Sequence, residues 1–253
     1  MSSSEPQRLD QLLVSLNLVA SRSRARDAIQ RGGVKVNGKV VTKPSLCFAT
    51  NAVIEIDDPA QDYVSRAALK LVAGLDHFKL DPSDQVCLDV GASTGGFTEV
   101  LLQRGAAHVI AIDVGHEQMH PRLQSDARVE NIEGLNARYL EPDDIGDQAF
   151  TFLVSDVSFI SIKLALVPAL ELAEPGAHCL LLVKPQFEAG RDAISKAGLL
   201  KEPETAPQVA AELERWLVDD MGWVSLGMIP SPIAGGDGNV EFLLAGFKPE
   251  DDA

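Results

Sequence analysis

Val86-Cys-Leu-Asp89-Val-Gly91-Ala-Ser93-Thr-Gly95-Gly96-Phe97 is the stretch that decides the fold. Five residues of strand character run into three glycines and then into a helix-sized segment at 95–104. Glycine lets the backbone turn sharply and come close to a ligand where a strand hands over to a helix. Outward from this loop, strand-like runs fall at 108–114, 150–157, 177–183, 223–229 and 240–247. Helix-sized segments at 65–72, 160–173 and 205–221 separate most of them. That alternation predicts an α/β domain, a mostly parallel sheet with helices on both faces. Ligands of such sheets bind at the carboxyl ends of the strands.

Asp113 closes the second strand about 20 residues past the glycines, where a carboxylate can accept both hydroxyls of a ribose. Strand, glycine turn, helix and acid together point to a bound nucleoside. A dinucleotide fingerprint spaces its glycines GxGxxG, whereas this loop reads Gly-x-x-x-Gly-Gly. Asp-x-Gly-x-x-x-Gly instead resembles the loop of Rossmann-like S-adenosylmethionine-dependent methyltransferases. The expected cofactor set is Asp89, Gly91, Ser93, Gly95, Gly96, Phe97, Asp113 and Asp156. Asp156 closes the third strand and Lys184 the fourth. Alone, the acid could cap the next helix and the lysine could reach for water. Side by side on the ligand edge they form a natural ion pair.

Residues 7–56 read differently. Leu9, Leu12, Leu13 and Leu16 form one helical stripe, and Ser21 can cap a second helix with Ala25, Ala28 and Ile29 inside. Asn37-Gly38 between Val34-Lys-Val36 and Lys39-Val-Val41 is a hairpin signal, and a last strand is expected near 52–56. The whole chain of 253 residues carries a net charge of −15. This small module nevertheless holds eight basic and three acidic side chains, a net of +5, leaving −20 for the remainder. A basic module on an acidic body suggests that the module meets polyanions. Its motifs (Ser21-Arg-Ser-Arg-Ala, Ile29-Gln-Arg-Gly-Gly-Val-Lys-Val-Asn-Gly, Lys43-Pro-Ser) resemble the S4 RNA-binding domain. That resemblance implies contact with structured RNA through Arg8, Arg22, Arg24, Arg26, Arg31, Lys35 and Lys43, joined by Arg66 beyond it.

Tyr63-Val-Ser-Arg-Ala-Ala-Leu-Lys-Leu, the glycine loop, Ser155-Asp-Val-Ser-Phe-Ile-Ser, Val183-Lys-Pro-Gln-Phe-Glu and Gly238-Asn-Val-Glu-Phe together resemble the TlyA (hemolysin A) family. Those proteins are ribosomal RNA 2′-O-methyltransferases with an S4 domain ahead of an FtsJ-like catalytic domain. The resemblance spans essentially the whole chain. It implies S-adenosylmethionine as cofactor and a Lys-Asp-Lys-Glu tetrad, which falls on Lys70, Asp156, Lys184 and Glu241. Glu241 reaches the same edge only if the last strand runs antiparallel, a direction taken from the family. Nothing local singles out Lys70. In the implied mechanism, Lys184 orients the ribose 2′-oxygen or takes its proton. The expected division is a tail at 1–6, an S4 domain at 7–58, a linker at 59–64, a methyltransferase domain at 65–248 and a tail at 249–253.

Other readings carry less. His116-Glu-Gln-Met-His120 matches the zinc protease signature H-E-x-x-H, but Pro121 follows at once and no nearby downstream histidine completes a set, so the match reads as accidental and no metal is expected. Three scattered cysteines argue against a disulfide framework. No apolar run reaches the roughly 20 residues of a membrane span, and the start MSSSEPQ shows no secretory signal. A cytoplasmic monomer acting on ribosomal RNA or ribosomal subunits is expected. A non-catalytic RNA-binding protein with a retained methyltransferase fold is the rival, and a hemolysin a more distant one.

Overall fold

The computed structural model describes residues 5–235 and 238–250, so most of the two expected tails lies outside it. The chain divides into two compact units between Asp62 and Tyr63.

The first unit opens on a two-residue strand, β1 (Gln7–Arg8), and two helices, α1 (Leu9–Ser15) and α2 (Arg22–Gln30). Ser21 caps α2, its hydroxyl accepting from Arg24 N at 3.3 Å. The hairpin forms as β2 (Val34–Val36) and β3 (Lys39–Val40), with Asn37 and Gly38 at positive φ. β4 (Cys47–Phe48) pairs with β1, and β5 (Ile54–Ile56) pairs antiparallel with β2. Leu9, Leu13, Ala25, Ala28, Ile29, Val34 and Val36 close the core. Leu16 is the exception to the expected stripe: it lies past the end of α1 and is exposed.

The second unit is a seven-stranded sheet covered on both faces. Its strands are β6 (Val86–Val90), β7 (His108–Asp113), β8 (Val129–Glu133), β9 (Phe152–Ser155), β10 (His178–Val183), β11 (Val224–Pro230) and β12 (Phe242–Phe247), in the order β11-β12-β10-β9-β6-β7-β8. All pairings are parallel except those of β12, which runs antiparallel to both β10 and β11. Along each central strand alternate residues feed opposite cores. Cys87, Val109, Val154 and Leu182 pack toward α3 (Ala68–Phe78) and α4 (Gly96–Gln103). Leu88, Ile110, Leu153 and Leu181 pack toward α6 (Ile162–Ala165), α7 (Val167–Leu172) and α9 (Ala206–Asp219). The short helices α5 (Pro121–Gln124) and α8 (Pro185–Glu188) sit in loops at the carboxyl edge.

Three expectations need correction. The single helix over 160–173 is two helices, because Pro168 has no N–H to give and Leu166 separates the pieces. The helix over 65–72 begins at Ala68 and runs to Phe78, ending where Lys79 takes the left-handed conformation. β8 was not expected at all: Val-Glu-Asn-Ile-Glu is an edge strand with polar residues on both faces.

The chain leaves β6 for β7 and β8 on one side, then returns to β9 on the other. β6 and β9 therefore flank the switch point of the sheet, where a crevice opens beyond the strand ends.

Candidate active site

Register decides what meets at that crevice. Val90 pairs with Ser155, Leu181 with Ser155, and Val183 with Phe242. Gly91, Asp156, Lys184 and Glu241 each sit one step past these pairs, so all four emerge on one edge. The reversed direction of β12 is what brings Glu241 there. Lys70 joins from the first turn of α3.

The tetrad resolves into two ion pairs. Lys184 Nζ lies 2.6 Å from Asp156 Oδ1, and Lys70 Nζ lies 2.5 Å from Glu241 Oε2. Lys70, Lys184 and Glu241 are buried, at 6%, 6% and 3% exposure. Charged groups this deep require their partners, because an isolated ion out of water costs several kcal/mol. Lys184 also donates to Ser158 Oγ at 2.6 Å and, more weakly, to the Asp156 carbonyl at 3.4 Å.

Two cavities adjoin here, each of about 340 Å³, within the range of small-molecule sites. Gly91, Ser93, Asp156, Ser158 and Phe159 wall both of them. The tetrad cavity adds Lys70, Lys184, Glu241, Gly96, Phe97, Gln186 and Phe187. The other adds Asp113, Asn136 and an apolar wall of Ile112, Leu135, Val157 and Ile160. The glycine loop makes room for both. Gly91 has φ +84°, and a Cβ there would stand 3.1 Å from the Asp156 carbonyl carbon and from Val157 N. A side chain would thus be strained at this φ and would crowd the backbone just past β9, which would have to give by a few tenths of an ångström.

Asp113 keeps acceptor capacity on the cavity wall. Its oxygens accept from Ser93 N at 2.8 Å and Gly115 N at 2.7 Å, which leaves a lone pair on each for hydroxyl donors. Asp89 and Gly95 do not line either cavity. Asp89 is fully buried beneath the loop, and its Oδ2 accepts from Thr98 Oγ1 at 2.6 Å. Burial pushes its carboxyl up to about 7, with the Asp156 and Asp113 charges adding, while Thr98 pulls the other way. Its second oxygen, Oδ1, has no hydrogen-bond partner among the described residues.

The sign of the resulting pH dependence is fixed. Folded Asp89 keeps a proton between about pH 4 and pH 7 that the unfolded chain has lost. Stability contributed by this site therefore falls as pH rises across that window. We expect Asp89→Asn to flatten the fall of unfolding free energy between pH 4 and 7, measured by denaturant titration. An unchanged slope would exclude Asp89 as its source.

Several of the cations expected to face RNA are engaged within the first unit. Arg8 and Arg22 hold the fully buried Asp10, at 3.0 and 2.9 Å, and keep its carboxyl down at about 2. Arg31 pairs with Asp58 at 2.7 Å, and Arg24 donates to the Ala60 carbonyl at 2.7 Å. Arg26, Lys35 and Lys43 are exposed with no ion pair among the described residues, and Arg66 is half-buried. The segment expected as a linker is divided between the units. Pro59–Asp62 forms a 3₁₀ turn of the first, and Val64 N in the second donates to the buried Glu99 at 2.6 Å. His116 and His120 do not share a sustained helix, since His120 caps the four-residue α5.

Residues that the sequence reading passed over also stand in the site. Ser158, Phe159, Gln186 and Phe187 sit two or three positions from Asp156 or Lys184, in a loop and in the four-residue α8, both too short for periodicity to give a signal. Phe159 is 91% exposed at φ +66°, with its ring 5.3 Å from that of Phe187.

A doubly wound sheet with one reversed strand, a glycine loop after its first strand and an acid after its second define a Rossmann-like methyltransferase domain. The FtsJ-like methyltransferase family matches residues 63–248, and the S4 domain family matches residues 7–46. A relative from Mycobacterium tuberculosis, 16S/23S rRNA (cytidine-2′-O)-methyltransferase TlyA, is 41% identical over 94% of this chain and 88% of its own. The 23S rRNA (cytidine-2′-O)-methyltransferase TlyA of Campylobacter jejuni is 31% identical over 93% of this chain and 97% of its own. A solved structure from Streptococcus thermophilus, described as a candidate hemolysin, superposes with a TM-score of 0.74 at 37% identity, covering 99% of this chain and 92% of that one. The chain belongs to the TlyA (hemolysin A) family, an S4 domain joined to an FtsJ-like methyltransferase domain. Among the described residues no helix is long and apolar enough to cross a membrane.

Proposed function

We propose that this protein transfers a methyl group from S-adenosylmethionine to the 2′-oxygen of a cytidine ribose in ribosomal RNA, as a monomer in the cytoplasm. The observation that carries the reading is the pair of buried ion pairs, Lys184–Asp156 and Lys70–Glu241, beside a nucleoside-sized cavity walled by Asp113. The cofactor fits what that cavity offers: an apolar slot for a base, a carboxylate for ribose hydroxyls, and backbone set close by Gly91. When bound, S-adenosylmethionine supplies an electrophilic methyl group on a positively charged sulfur.

The side chains do the remaining work. Asp113 and Asn136 hold the nucleoside end, and Gly91, Ser93 and Asp156 wall the passage toward the tetrad. A ribose hydroxyl is almost wholly protonated at neutral pH, so it needs orientation before it can act as a nucleophile. The Lys184 ammonium, fixed by Asp156, donates to the 2′-oxygen and aims a lone pair. The oxygen would gain the methyl group as the methyl–sulfur bond breaks, leaving the sulfur neutral, and it is cationic until its proton passes to solvent water. The carboxylates of Asp156 and Glu241 stabilise that charge. Lys70 holds Glu241 in place within the wall. The Phe159–Phe187 rings at the mouth offer the target base a stacking surface. Arg26, Lys35 and Lys43 supply phosphate contacts from the basic first unit.

The test is label transfer to ribosomal subunits lacking this modification, with the modified nucleotide mapped by mass spectrometry. Label in one cytidine of 16S or 23S RNA is expected. A protein that binds the cofactor yet leaves ribosomal RNA unlabelled would fit the non-catalytic reading instead.

A further inference from the structure

Lys184 has three N–H bonds to give, and the structure accounts for each. One goes to Asp156 Oδ1 at 2.6 Å, one to Ser158 Oγ at 2.6 Å, and the third makes only a long contact of 3.4 Å with the Asp156 carbonyl. Two short anchors and one weak one leave a single direction in which the ammonium can be reoccupied cheaply. Ser158 stands where that matters, on the wall shared by the two cavities. It is itself exposed, and Phe159 just after it turns the chain through a left-handed conformation. A serine in such a loop commonly bonds to neighbouring backbone. The Ser158 hydroxyl instead takes its hydrogen bond from a side chain 26 positions away.

We propose that Ser158 is a positioning residue for methyl transfer. Its hydroxyl and the Asp156 carboxylate clamp the Lys184 ammonium so that the third N–H points at the incoming ribose oxygen. The serine acts through Lys184 and needs no contact with RNA or cofactor of its own. This inference rests on the 2′-O-methyltransferase reading and adds a residue to it. With one anchor gone, the ammonium can swing about the Asp156 bond, and the oxygen loses its fixed donor. Small misplacements of a catalytic group are costly in rate while leaving ground-state binding almost untouched.

The experiment compares wild type, Ser158→Ala and Ser158→Thr in steady-state methylation of undermodified ribosomal subunits. Cofactor affinity is measured alongside by calorimetry. Ser158→Ala should lower kcat by roughly 10- to 100-fold, the effect of losing a hydrogen bond to a charged group. The KM for subunits and the cofactor Kd should stay within about twofold. Ser158→Thr, which keeps the hydroxyl, should recover most of the rate. An alanine variant with unchanged kcat overturns the proposal. So does a variant that loses rate, subunit binding and cofactor binding together without rescue by threonine, because that pattern is loop collapse. Wild-type protein that binds cofactor but methylates nothing removes the underlying reading, and this inference falls with it.

Discussion

Lys184→Ala should lose turnover by about a thousandfold or more while binding S-adenosylmethionine within about threefold of wild type. A positioned proton-transfer or orienting group contributes about 10²- to 10⁴-fold, and Lys184 lines the tetrad cavity while bonded to Asp156 and Ser158, which wall both cavities. Its ammonium is buried and reaches Asp156 at 2.6 Å. The nucleoside cavity is walled by Asp113, Asn136 and Val157 and does not include Lys184, so cofactor affinity has little reason to change. Lys184→Arg should fail as well, because a planar, longer fork cannot replace a compact ammonium between Asp156 and Ser158. Single-turnover methylation and calorimetry together read both halves of the expectation. Retention of more than a tenth of the wild-type rate would remove Lys184 from the mechanism.

The second large effect is on stability. In Lys70→Met the Glu241 carboxylate, 3% exposed, is left without its cation. Breaking a buried pair from one side costs roughly 3–5 kcal/mol, since an uncompensated charge remains. For a domain of this size that corresponds to a fall in Tm of the order of 10 °C. The double variant Lys70→Met, Glu241→Gln should regain most of the loss, because no buried charge is left unpaired. It should not regain activity. Thermal melts and methylation assays on the two variants and the parent test this. A single variant as stable as the parent would mean that the pair is open to water and that the site is less closed than described.

How much of this the sequence disclosed depends on range. The Asp89–Phe97 loop and the acid at Asp113 were legible because strand, turn and helix signals are local and follow one another. Asp156 and Lys184 were legible as strand ends, and their pairing followed from placing neighbouring strands side by side. Lys70 was not: a lysine in an amphipathic helix looks solvated, and its burial depends on Glu241, 171 positions away. It entered only through the family resemblance. The direction of β12 came the same way, because a strand's own residues do not state which way it runs. Counting charges gave the basic character of residues 7–56 but could not tell that Arg8 and Arg22 converge on Asp10. β8 escaped because an edge strand needs no apolar face. Ser158 escaped because a loop carries no periodicity, and Gln186 because the four-residue α8 is too short to show one, so only three-dimensional proximity marks them.

The most direct test is chemical. A methyl group on a ribose 2′-oxygen removes the nucleophile that cleaves the adjoining phosphodiester in alkali. Ribosomal RNA treated with this protein and S-adenosylmethionine, then partially hydrolysed with base, should show one missing band, 3′ to a cytidine. Nuclease digestion of the same RNA should give 2′-O-methylcytidine. A methylated RNA whose alkaline ladder is unbroken, with the label in a base, would contradict the account, because Lys184 and its partners would then face the wrong atom.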